Sequence, residues 1–374
     1  MTAALAIGAV GCDGSRANEK PTARPAATGW RLHEGLPPSR GSTRYVSPRG
    51  ADRAGGTRRS PWRTVQKALD TLRPGQTAVV RRGTYAENLV MTRAGTPRAP
   101  ITVRGERGAV LTAGRGQEDN VPLELAGGSA YVRIEGLVIR GATGPSTTNV
   151  YASGNAHDIE LSRCVIRDSE RQGFFSERTT SRIAILRSTV RDNGGDGPNQ
   201  LDHNIYIEGR GHLIANDVVS GARNGFGIQI YPSSDHIVVA NNTIVGNYRD
   251  GIIVGSDAAT TTSGALIVNN IVARNGRYGI STYWGGRRGT GNVVRNNLGW
   301  RNAEGSFVGD GIGYTGNRVA NPRFVRASAS DFHLRRRSPA LGRALRPWAP
   351  RRDRDGRLRP VGAGPDIGAY ERGR

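Results

Sequence analysis

ANNTIVGN at 240–247 returns as VNNIVARN at 268–275 and as VRNNLGWRN at 294–302. The first asparagines of these pairs, Asn241, Asn269 and Asn296, follow one another after 28 and 27 residues. A period of this length is typical of one supersecondary unit stacked on copies of itself. The repeat therefore decides the fold, and the fold decides where a functional site can lie.

Weaker copies of the segment extend the repeat towards the N-terminus. They read ANDVV at 215–219, LRSTVRDN at 186–193, SRCVIRDS at 162–169 and IEGLVIR at 134–140, and a second apolar segment follows each copy. The segments are short and rich in β-branched residues, and they alternate apolar with polar residues, which is the strand period. Short strands with a period of about 25 residues predict an all-β fold, a single-stranded parallel β-helix solenoid. Aligned asparagines in such a solenoid form ladders between coils, so we interpret the pairs as structural.

Both ends of the repeat region resemble a known family. The start carries YVSPRGAD at 45–52, PWRT at 61–64 and GTYAE at 83–87, and the end carries NPRF at 321–324, DFHL at 331–334, SPA at 338–340 and DIGAYE at 366–371. These motifs resemble the right-handed parallel β-helix proteins of secreted carbohydrate enzymes, especially the pectate-lyase-like group. The resemblance covers residues 44–372 and implies a right-handed solenoid. It leaves the activity open, because the family includes lyases, epimerases, hydrolases and proteins of unknown activity.

The chain divides into four predicted segments. They are a leader over 1–12, a flexible tether over 13–43, the β-helix domain over 44–320 and a closing segment over 321–374. The leader is apolar and ends in Ala9-Val10-Gly11-Cys12, which resembles a bacterial lipoprotein box, so Cys12 is the predicted lipidation site. This predicts an extracellular or cell-surface protein that touches the membrane only through the lipid. A plain disordered N-terminus is the alternative.

A short helix is predicted at the start of the β-helix domain. Val65, Ala68, Leu69 and Leu72 share one face of a helix over 64–72, and Pro74-Gly75 ends it. We expect this helix to cap the open end of the coil stack, where unpaired strand edges would otherwise be exposed.

The chain is strongly basic, with a net charge of +22. Only Lys20 and Lys67 are lysines, so nearly all of the positive charge is arginine. Arginine binds carboxylate, sulfate or phosphate through paired hydrogen bonds, which makes an acidic polysaccharide the predicted partner of a monomeric protein. The sequence shows no recognised nucleic-acid-binding motif, and we predict no nucleic-acid partner. Arginine richness that serves solubility alone is the alternative.

Candidate site residues follow from the strand alternation. Isoleucines such as Ile205 and Ile207 must face the core. The residues that alternate with them, such as Asn204 and Tyr206, are therefore expected to face outward. Residues of one column on neighbouring coils lie about 4.8 Å apart, a spacing that suits a polymer. The turn 194–203 is longer than its counterparts, and extra loops at one edge of a solenoid commonly form the binding face. We predict His203, Tyr206 and Arg249 as catalytic residues, and Gln229, Tyr231, Arg223, Arg277, Tyr278, Tyr283 and Trp284 as substrate-binding residues.

These residue types suit β-elimination of a uronate polymer. Arg249 or Arg277 would neutralise the substrate carboxylate and stabilise the developing enediolate. His203 would remove the proton, and Tyr206 would protonate the leaving oxygen. A lysine base, which some lyases of the family use, is excluded because neither lysine lies within the coils. We therefore predict a polysaccharide lyase.

Other functions stay open on the same face. A uronate epimerase shares the first half of this chemistry, a glycoside hydrolase would use Asp202 with Asp250, and a surface glycan-binding adhesin needs no catalytic group. Calcium is a further hypothesis, because Ca²⁺ binds several oxygen ligands. Its candidate ligands are Glu177, Asp202, Glu208 and Asp250.

Overall fold

The structure, a computed structural model, describes residues 35–195 and 201–373. Its strands are short and parallel, and most pair with one strand a coil earlier and one a coil later. They stack as three series that form the three faces of a solenoid. This confirms the predicted all-β parallel solenoid.

The first series forms the surface that we call the open face. Its strands are Leu89–Met91, Leu123–Leu125, Thr148–Ala152, Gln172–Ser176, Ile205–Arg210, Ile228–Asp235, Ile252–Ser256, Tyr278–Trp284 and Gly305–Phe307.

The second series forms the second face, and long strands of the open face join both series into one 21-stranded sheet within the described residues. Its strands are Thr43–Val46, Thr77–Val80, Ile101–Gly105, Ala130–Glu135, His157–Ser162, Ser181–Leu186, Leu213–Ala215, Val238–Ala240, Thr262–Ser263, Leu266–Val268, Val293–Arg295 and Gly313–Thr315.

The third series forms the third face, a separate 10-stranded sheet in the described part of the chain. Its strands are Gly83–Ala86, Ala109–Thr112, Val138–Arg140, Val165–Arg167, Thr189–Arg191, Val218–Ser220, Thr243–Val245, Ile271–Ala273, Leu298–Trp300 and Arg318–Val319. Beyond it, the closing segment holds the antiparallel strands Phe324–Arg326 and Asp331–Leu334 and the 3₁₀ turns Ala327–Ala329 and Arg346–Trp348.

The turns between faces explain why asparagine recurs. The first residue of each pair lies where the chain passes from the second face to the third, and its backbone is left-handed, with φ of 54° at Asn241, 58° at Asn269 and 54° at Asn296. Asparagine tolerates this conformation far better than most side chains. The turn geometry therefore selects the first asparagine of the pair.

The second asparagine of each pair forms the predicted ladder inside the coil. Asn242 donates from Nδ2 to Oδ1 of Asn270 at 3.0 Å, and Asn270 donates to Asn297 at 2.9 Å. A further ladder at the turn between the third face and the open face runs through Asn149, Asn193, Asn204, Asn247, Asn275 and Asn302. Ladder formation is confirmed. The outward orientation predicted for Asn204 is wrong, because this residue is fully buried and belongs to the turn before the strand alternation begins.

The first asparagines also hold the closing segment. Asn269 accepts the backbone N–H of Leu345 at 2.9 Å and donates to its carbonyl at 3.2 Å. Asn241 donates to the carbonyl of Asp366 at 2.9 Å, and Asn296 donates to that of Arg343 at 2.8 Å. The closing segment thereby lies against the corner between the second and third faces.

Apolar packing extends this cover over both of those faces. On the third face, Val218, Val245, Ile271 and Leu298 pack with Phe332, Leu334, Ile367 and other residues of the closing segment. On the second face, Leu213, Val238 and Leu266 form a buried cluster against which Leu345 and Trp348 pack. Burial of large apolar side chains contributes roughly 1.5–3 kcal/mol each, so this cover is part of the folded core.

The start of the described chain contains a short helix and, ahead of it, a segment that contacts the second face. The helix Val65–Thr71 confirms the predicted one; Thr64 caps it by accepting the Lys67 N–H at 3.2 Å, and its residues Val65, Ala68 and Leu69 are buried. Ahead of it, Leu36 donates its N–H to Glu160 at 2.7 Å on the early coils of the second face. Within the described residues, no helix is long and apolar enough to cross a membrane.

The segments outside the coils cover two of the three faces in part. The closing segment covers parts of the second and third faces, and the chain around Leu36 lies on an earlier part of the second. Neither segment packs against the outward column of the open face in the described contacts. The open face is therefore where a polymer can lie along the coils.

Candidate functional site

The floor of the open face is one column of outward side chains. Ile205 and Ile207, which alternate with this column, are 0% and 1% exposed and face the core. The strands pair in register, so the column runs through Glu124, Tyr151, Phe175, Tyr206, Gln229, Ile253 and Ser281.

The aromatic members of the floor stack on one another. The ring centroids of Tyr151 and Phe175 are 5.6 Å apart at an interplanar angle of 11°, and those of Phe175 and Tyr206 are 4.9 Å apart. Their faces therefore cover one another. Burial raises the pKa of Tyr206, with a smaller contribution from Glu208, so its phenol stays protonated at neutral pH and can donate a proton.

His203 lies in a stack at one edge of the open face. Its ring is 4.9 Å from that of Phe226, and the guanidinium of Arg249 lies 4.8 Å from the Phe226 centroid. His203 Nδ1 accepts the backbone N–H of Phe226 at 3.0 Å, and the residue is 1% exposed. Burial lowers the pKa of His203 to about 3, assisted by Arg249 and Arg171.

This position does not support the predicted role of His203 as the base. Its Nδ1 lone pair is occupied, and the side chain is enclosed where a polymer would have to reach it. The sequence reasoning failed because the chain re-enters the coil before Ile205, so the residue after the long turn is packed inward. Residues 196–200 of that turn lie outside the described residues, as do the predicted leader and Cys12.

Arginines line the same edge. Arg249 is 9% exposed, and its Nε has no hydrogen-bond partner. Arg277 lies over the Tyr278 ring at 5.2 Å and within 3.4 Å of Glu304 and 3.9 Å of Asp250. Arg249 and Arg277 are therefore neighbouring cations at the edge of the open face.

Arg223, a third predicted binding residue, is placed differently. Its guanidinium contacts Asp168 at 3.3 Å. Asp168 follows the third-face strand Val165–Arg167. Arg223 thus pairs towards the third face, away from the open-face column.

The predicted carboxylate ligands do not come together. Asp202 and Asp250 are 2% and 1% exposed, and burial raises the pKa of each. Asp202 pairs with Arg171 at 3.1 Å, while Asp250 accepts the hydroxyl of Ser281. In the described ranges, no group of three or more His, Cys, Asp or Glu side chains could hold a metal ion. The predicted four-residue calcium site is therefore not formed, and Asp202, Asp250 and Glu177 each have a separate structural partner.

Insertions build up the other edge of the open face. Ile207 pairs with Ile230 but Gly209 pairs with Ser234. Glu208 therefore lies opposite the inserted segment 231–233. On the next coil Ser234 pairs with Thr262, so the longer segment 255–261 lies at the same edge. Such bulges commonly re-aim side chains next to a site.

Tyrosines project from this insertion edge. The rings of Tyr231 and Tyr283 are 6.5 Å apart, and Tyr283 is 38% exposed. A Cβ added to Gly255 would lie 2.6 Å from the Tyr283 carbonyl and 3.0 Å from the Tyr231 ring, so glycine leaves the room that this pair occupies. Trp284 is fixed beside them, since its Nε1 donates to the Asp310 carbonyl at 2.9 Å.

Glu208 is the titratable group at this edge. Its side chain is half-buried and accepts no hydrogen bond from the described residues, whereas the neighbouring Glu177 accepts the Tyr151 hydroxyl. Burial raises the pKa of Glu208 to about 7; Glu177 and Asp257 add to the rise, and Arg178 opposes it. Sequence reasoning placed Glu208 on the outward face but assigned it only the role of a metal ligand. The available signal was its position two residues after Tyr206, which puts both on one side of the sheet.

Comparison with known proteins places this fold and site in context. The Pel9A-like right-handed β-helix region model matches residues 44–307. Uncharacterized protein YwoF of Bacillus subtilis (strain 168) is 33% identical over 125 residues, which cover 31% of this chain and 27% of YwoF. Pectate lyase PEL9 of Emericella nidulans is 35% identical over 83 residues, covering 22% and 20% of the two chains. The matches thus span about a quarter of these relatives.

Solved structures share the fold at low sequence identity. Pectate lyase Pel9A has a TM-score of 0.62 at 15% identity, over 91% of this chain and 98% of that one. A glycoside hydrolase has a TM-score of 0.58 at 11% identity over 80% and 100% of the two chains. XylC in complex with xylose has a TM-score of 0.56 at 12% identity over 74% and 70%. Since the family model covers well over half of the residues, the chain belongs to the family of proteins with a Pel9A-like right-handed β-helix region.

Proposed function

We propose that this chain is a polysaccharide lyase that binds an acidic, uronate-containing glycan along the open face and cleaves it by β-elimination. The observation that carries the proposal is the arrangement of the open face. Its floor holds a proton donor, Tyr206, and one edge holds the neighbouring cations Arg249 and Arg277. Its relatives by fold include a pectate lyase and a glycoside hydrolase, which supports a carbohydrate substrate.

The arginines would act on the substrate carboxylate. A proton next to a carboxylate is weakly acidic until the carboxylate charge is offset, and cations at this position stabilise the enediolate that forms. Arg249 has an unpartnered Nε, and Arg277 lies beside it. Binding of a carboxylate by these two groups would supply the missing hydrogen-bond partner.

The hydrolase alternative has less support in the geometry. It would need one carboxylic acid and one carboxylate free to act across a glycosidic bond. Asp202 and Asp250 are buried and are bound to Arg171 and Ser281 respectively. We therefore rank the lyase first.

A product assay tests the proposal. The full chain is incubated with polygalacturonate, polymannuronate, polyguluronate and glucuronate-containing glycosaminoglycans, and ultraviolet absorbance of unsaturated uronate is followed beside new reducing ends. A lyase gives both signals, and a hydrolase gives reducing ends alone. Binding without either product indicates a glycan-binding protein and refutes the lyase.

A pair of variants links the activity to the open face. Arg277→Gln should lower kcat/KM by about 10–100-fold, because a charge-assisted contact to the carboxylate is worth roughly 1.5–3 kcal/mol. Arg140→Gln is the matched control, since Arg140 is an exposed arginine at the end of a third-face strand. Equal loss in both variants would contradict a site on the open face.

Export and lipidation at Cys12 complete the proposal. The apolar residues 3–11 followed by Cys12 support it. Expression of the full chain in a bacterial host with an alkyne-labelled fatty acid tests it, with Cys12→Ser as the control. Label on the wild-type chain alone is expected, and absence of label from both chains would refute lipidation. We further propose that the protein acts as a monomer.

A further inference from the structure

Tyr206 and Glu208 project over the same patch of the open face. They are two positions apart on the strand Ile205–Arg210, and Ile207 between them is 1% exposed and faces the core. Two residues span about 7 Å along a strand. A phenol and a carboxylate that accepts no hydrogen bond from the described residues thus stand side by side above one sheet face.

Two polar groups of the open face lack a partner and point to a ligand. Gln229, which pairs with Tyr206 on the next coil, is 8% exposed, and its Oε1 accepts no hydrogen bond. Arg249 lies two coils after Tyr206, at the edge of the open face where His203 stacks. It is 9% exposed, and its Nε donates to no acceptor. Buried polar groups are nearly always hydrogen-bonded. A sugar hydroxyl would satisfy Gln229, and a uronate carboxylate would satisfy Arg249.

We propose that Glu208 is the base of this site, that Tyr206 is its acid partner, and that the substrate is a uronate whose C5 hydrogen and C4 oxygen lie on the same side of the ring. The inference rests on the lyase proposed above. It assigns the role of base, for which the buried His203 is not suited, to Glu208.

The reaction balances with these two groups. The Glu208 carboxylate takes the C5 proton, and the electrons of the C5–H bond form the C4–C5 double bond. The C4–O4 bond breaks, its electron pair leaves with O4, and the Tyr206 hydroxyl protonates that oxygen. Glu208, now a carboxylic acid, returns its proton to the Tyr206 phenolate through water, which restores both groups.

The shared side of the sheet sets the stereochemistry. A sugar ring lying on the open face meets both groups from below, so proton removal and oxygen protonation occur on one side of the ring. D-Mannuronate and D-glucuronate carry the C5 hydrogen and the C4 oxygen on the same side. D-Galacturonate is the C4 epimer of D-glucuronate, and L-guluronate is the C5 epimer of D-mannuronate. Both carry the C5 hydrogen and the C4 oxygen on opposite sides. Polymers of the first kind are therefore the predicted substrates.

The surroundings of Glu208 suit a base that works near neutral pH. Glu177 and Arg178 from the previous coil, Tyr206 on its own strand, and Tyr231 and Asp257 from later coils face this region. Burial and the two other carboxylates hold the pKa of Glu208 at about 7 against the effect of Arg178. We expect kcat to rise as the pH increases through about 7 and then to level off.

The test uses the full chain and the variants Glu208→Gln and Tyr206→Phe. Each should lower kcat on the cleaved polymer by at least about 100-fold with KM nearly unchanged, because acid–base groups contribute about 10²–10⁴-fold. Glu106→Gln is the matched control, since Glu106 is an exposed carboxylate that follows the second-face strand Ile101–Gly105 and lies off the open face. Equal binding of the polymer and equal unfolding midpoints establish that the variants are folded.

The outcomes separate the two proposals. Unsaturated product from polymannuronate or a glucuronate polymer, lost in both variants and kept in Glu106→Gln, supports the pair. Wild-type kcat in Glu208→Gln overturns Glu208 as the base while the lyase stands. Cleavage of polygalacturonate or polyguluronate in preference overturns the same-side geometry. No unsaturated product from any polymer overturns the lyase and, with it, the base.

Discussion

Replacing Asp217 by Asn should stabilise the protein. Asp217 occupies the position of the second asparagine in its coil, is 0% exposed, and accepts the Ser188 N–H at Oδ1. Its Oδ2 has no hydrogen-bond partner. An unpaired buried polar atom costs about 1–3 kcal/mol, so the ladder has a defect at this coil.

The neighbouring coils show what asparagine would restore. Asn242 Nδ2 donates to Asn270 Oδ1 at 3.0 Å and to the Ile214 carbonyl at 2.8 Å. In the same register, Nδ2 of a residue 217 amide would reach Asn242 and the carbonyl of Ile185. Two such bonds at about 0.5–1.5 kcal/mol each predict a gain of roughly 1–3 kcal/mol for Asp217→Asn.

The gain should depend on pH. Burial raises the pKa of Asp217 well above its ordinary value, and nearby N–H groups and Arg354 offset this only in part. Stability from a group with a raised folded-state pKa is fully present below the unfolded-state pKa of about 3.9 and is lost as the pH rises through the folded-state pKa. Since asparagine does not titrate, the advantage of Asp217→Asn should widen as the pH rises from about 4 towards neutrality.

Urea unfolding followed by circular dichroism at several pH values measures this difference. The reverse exchange, Asn242→Asp, is the matched control and should lower the midpoint, because it creates the same unpaired oxygen one coil later. A lower midpoint for Asp217→Asn, or a difference that does not change with pH, would refute the account of the ladder defect.

Two further predictions concern the closing segment. Asn269→Gly keeps the left-handed turn but removes both hydrogen bonds to Leu345, together with those to Asn241 and Asn296. It should therefore cost at least about 1–3 kcal/mol. The readout of anchoring is trypsin cleavage within the arginine-rich stretch 335–359, which should become faster, and unchanged cleavage would contradict the anchoring role. Burial lowers the pKa of His333, but its contacts to Asp355 at 2.8 Å and Asp331 at 2.7 Å outweigh this and raise it. That stabilisation should be complete below about pH 6.5, the ordinary pKa of histidine, and should be lost as the pH rises through the folded-state pKa. His333→Gln should remove this pH dependence from the unfolding midpoint.

Sequence reasoning predicted the solenoid because its signals are periodic. The asparagine pairs recur at one turn and in one ladder, and those positions are fixed by backbone geometry and hydrogen bonding in every coil. The helix over Val65–Thr71 follows from a spacing of apolar residues that only a helix brings together. Such features depend on neighbours close in sequence or at a constant period.

The site was harder to predict because its features are not periodic. Alternation gives relative orientation within a strand but not the residue at which the strand begins, so Asn204 and His203 were placed outward although both are buried. The titration of Glu208 depends on burial and on carboxylates from other coils. Glu177 follows from the regular register of neighbouring coils, but the position of Asp257 depends on the insertion opposite 231–233, which no spacing in the sequence reveals.

The asparagine pair nevertheless determines where function can lie. Its second member joins coils inside the solenoid, so the coil stack is held from within. Its first member turns outward and binds the closing segment, which then covers much of the second and third faces. The first members also bond to one another between coils, since Asn296 donates to Asn269 at 2.8 Å and Asn269 donates to Asn241 at 3.2 Å. Both members therefore join coils, and the first also holds the cover, so the described contacts of the closing segment leave the open face uncovered. That face is where we propose that the glycan binds.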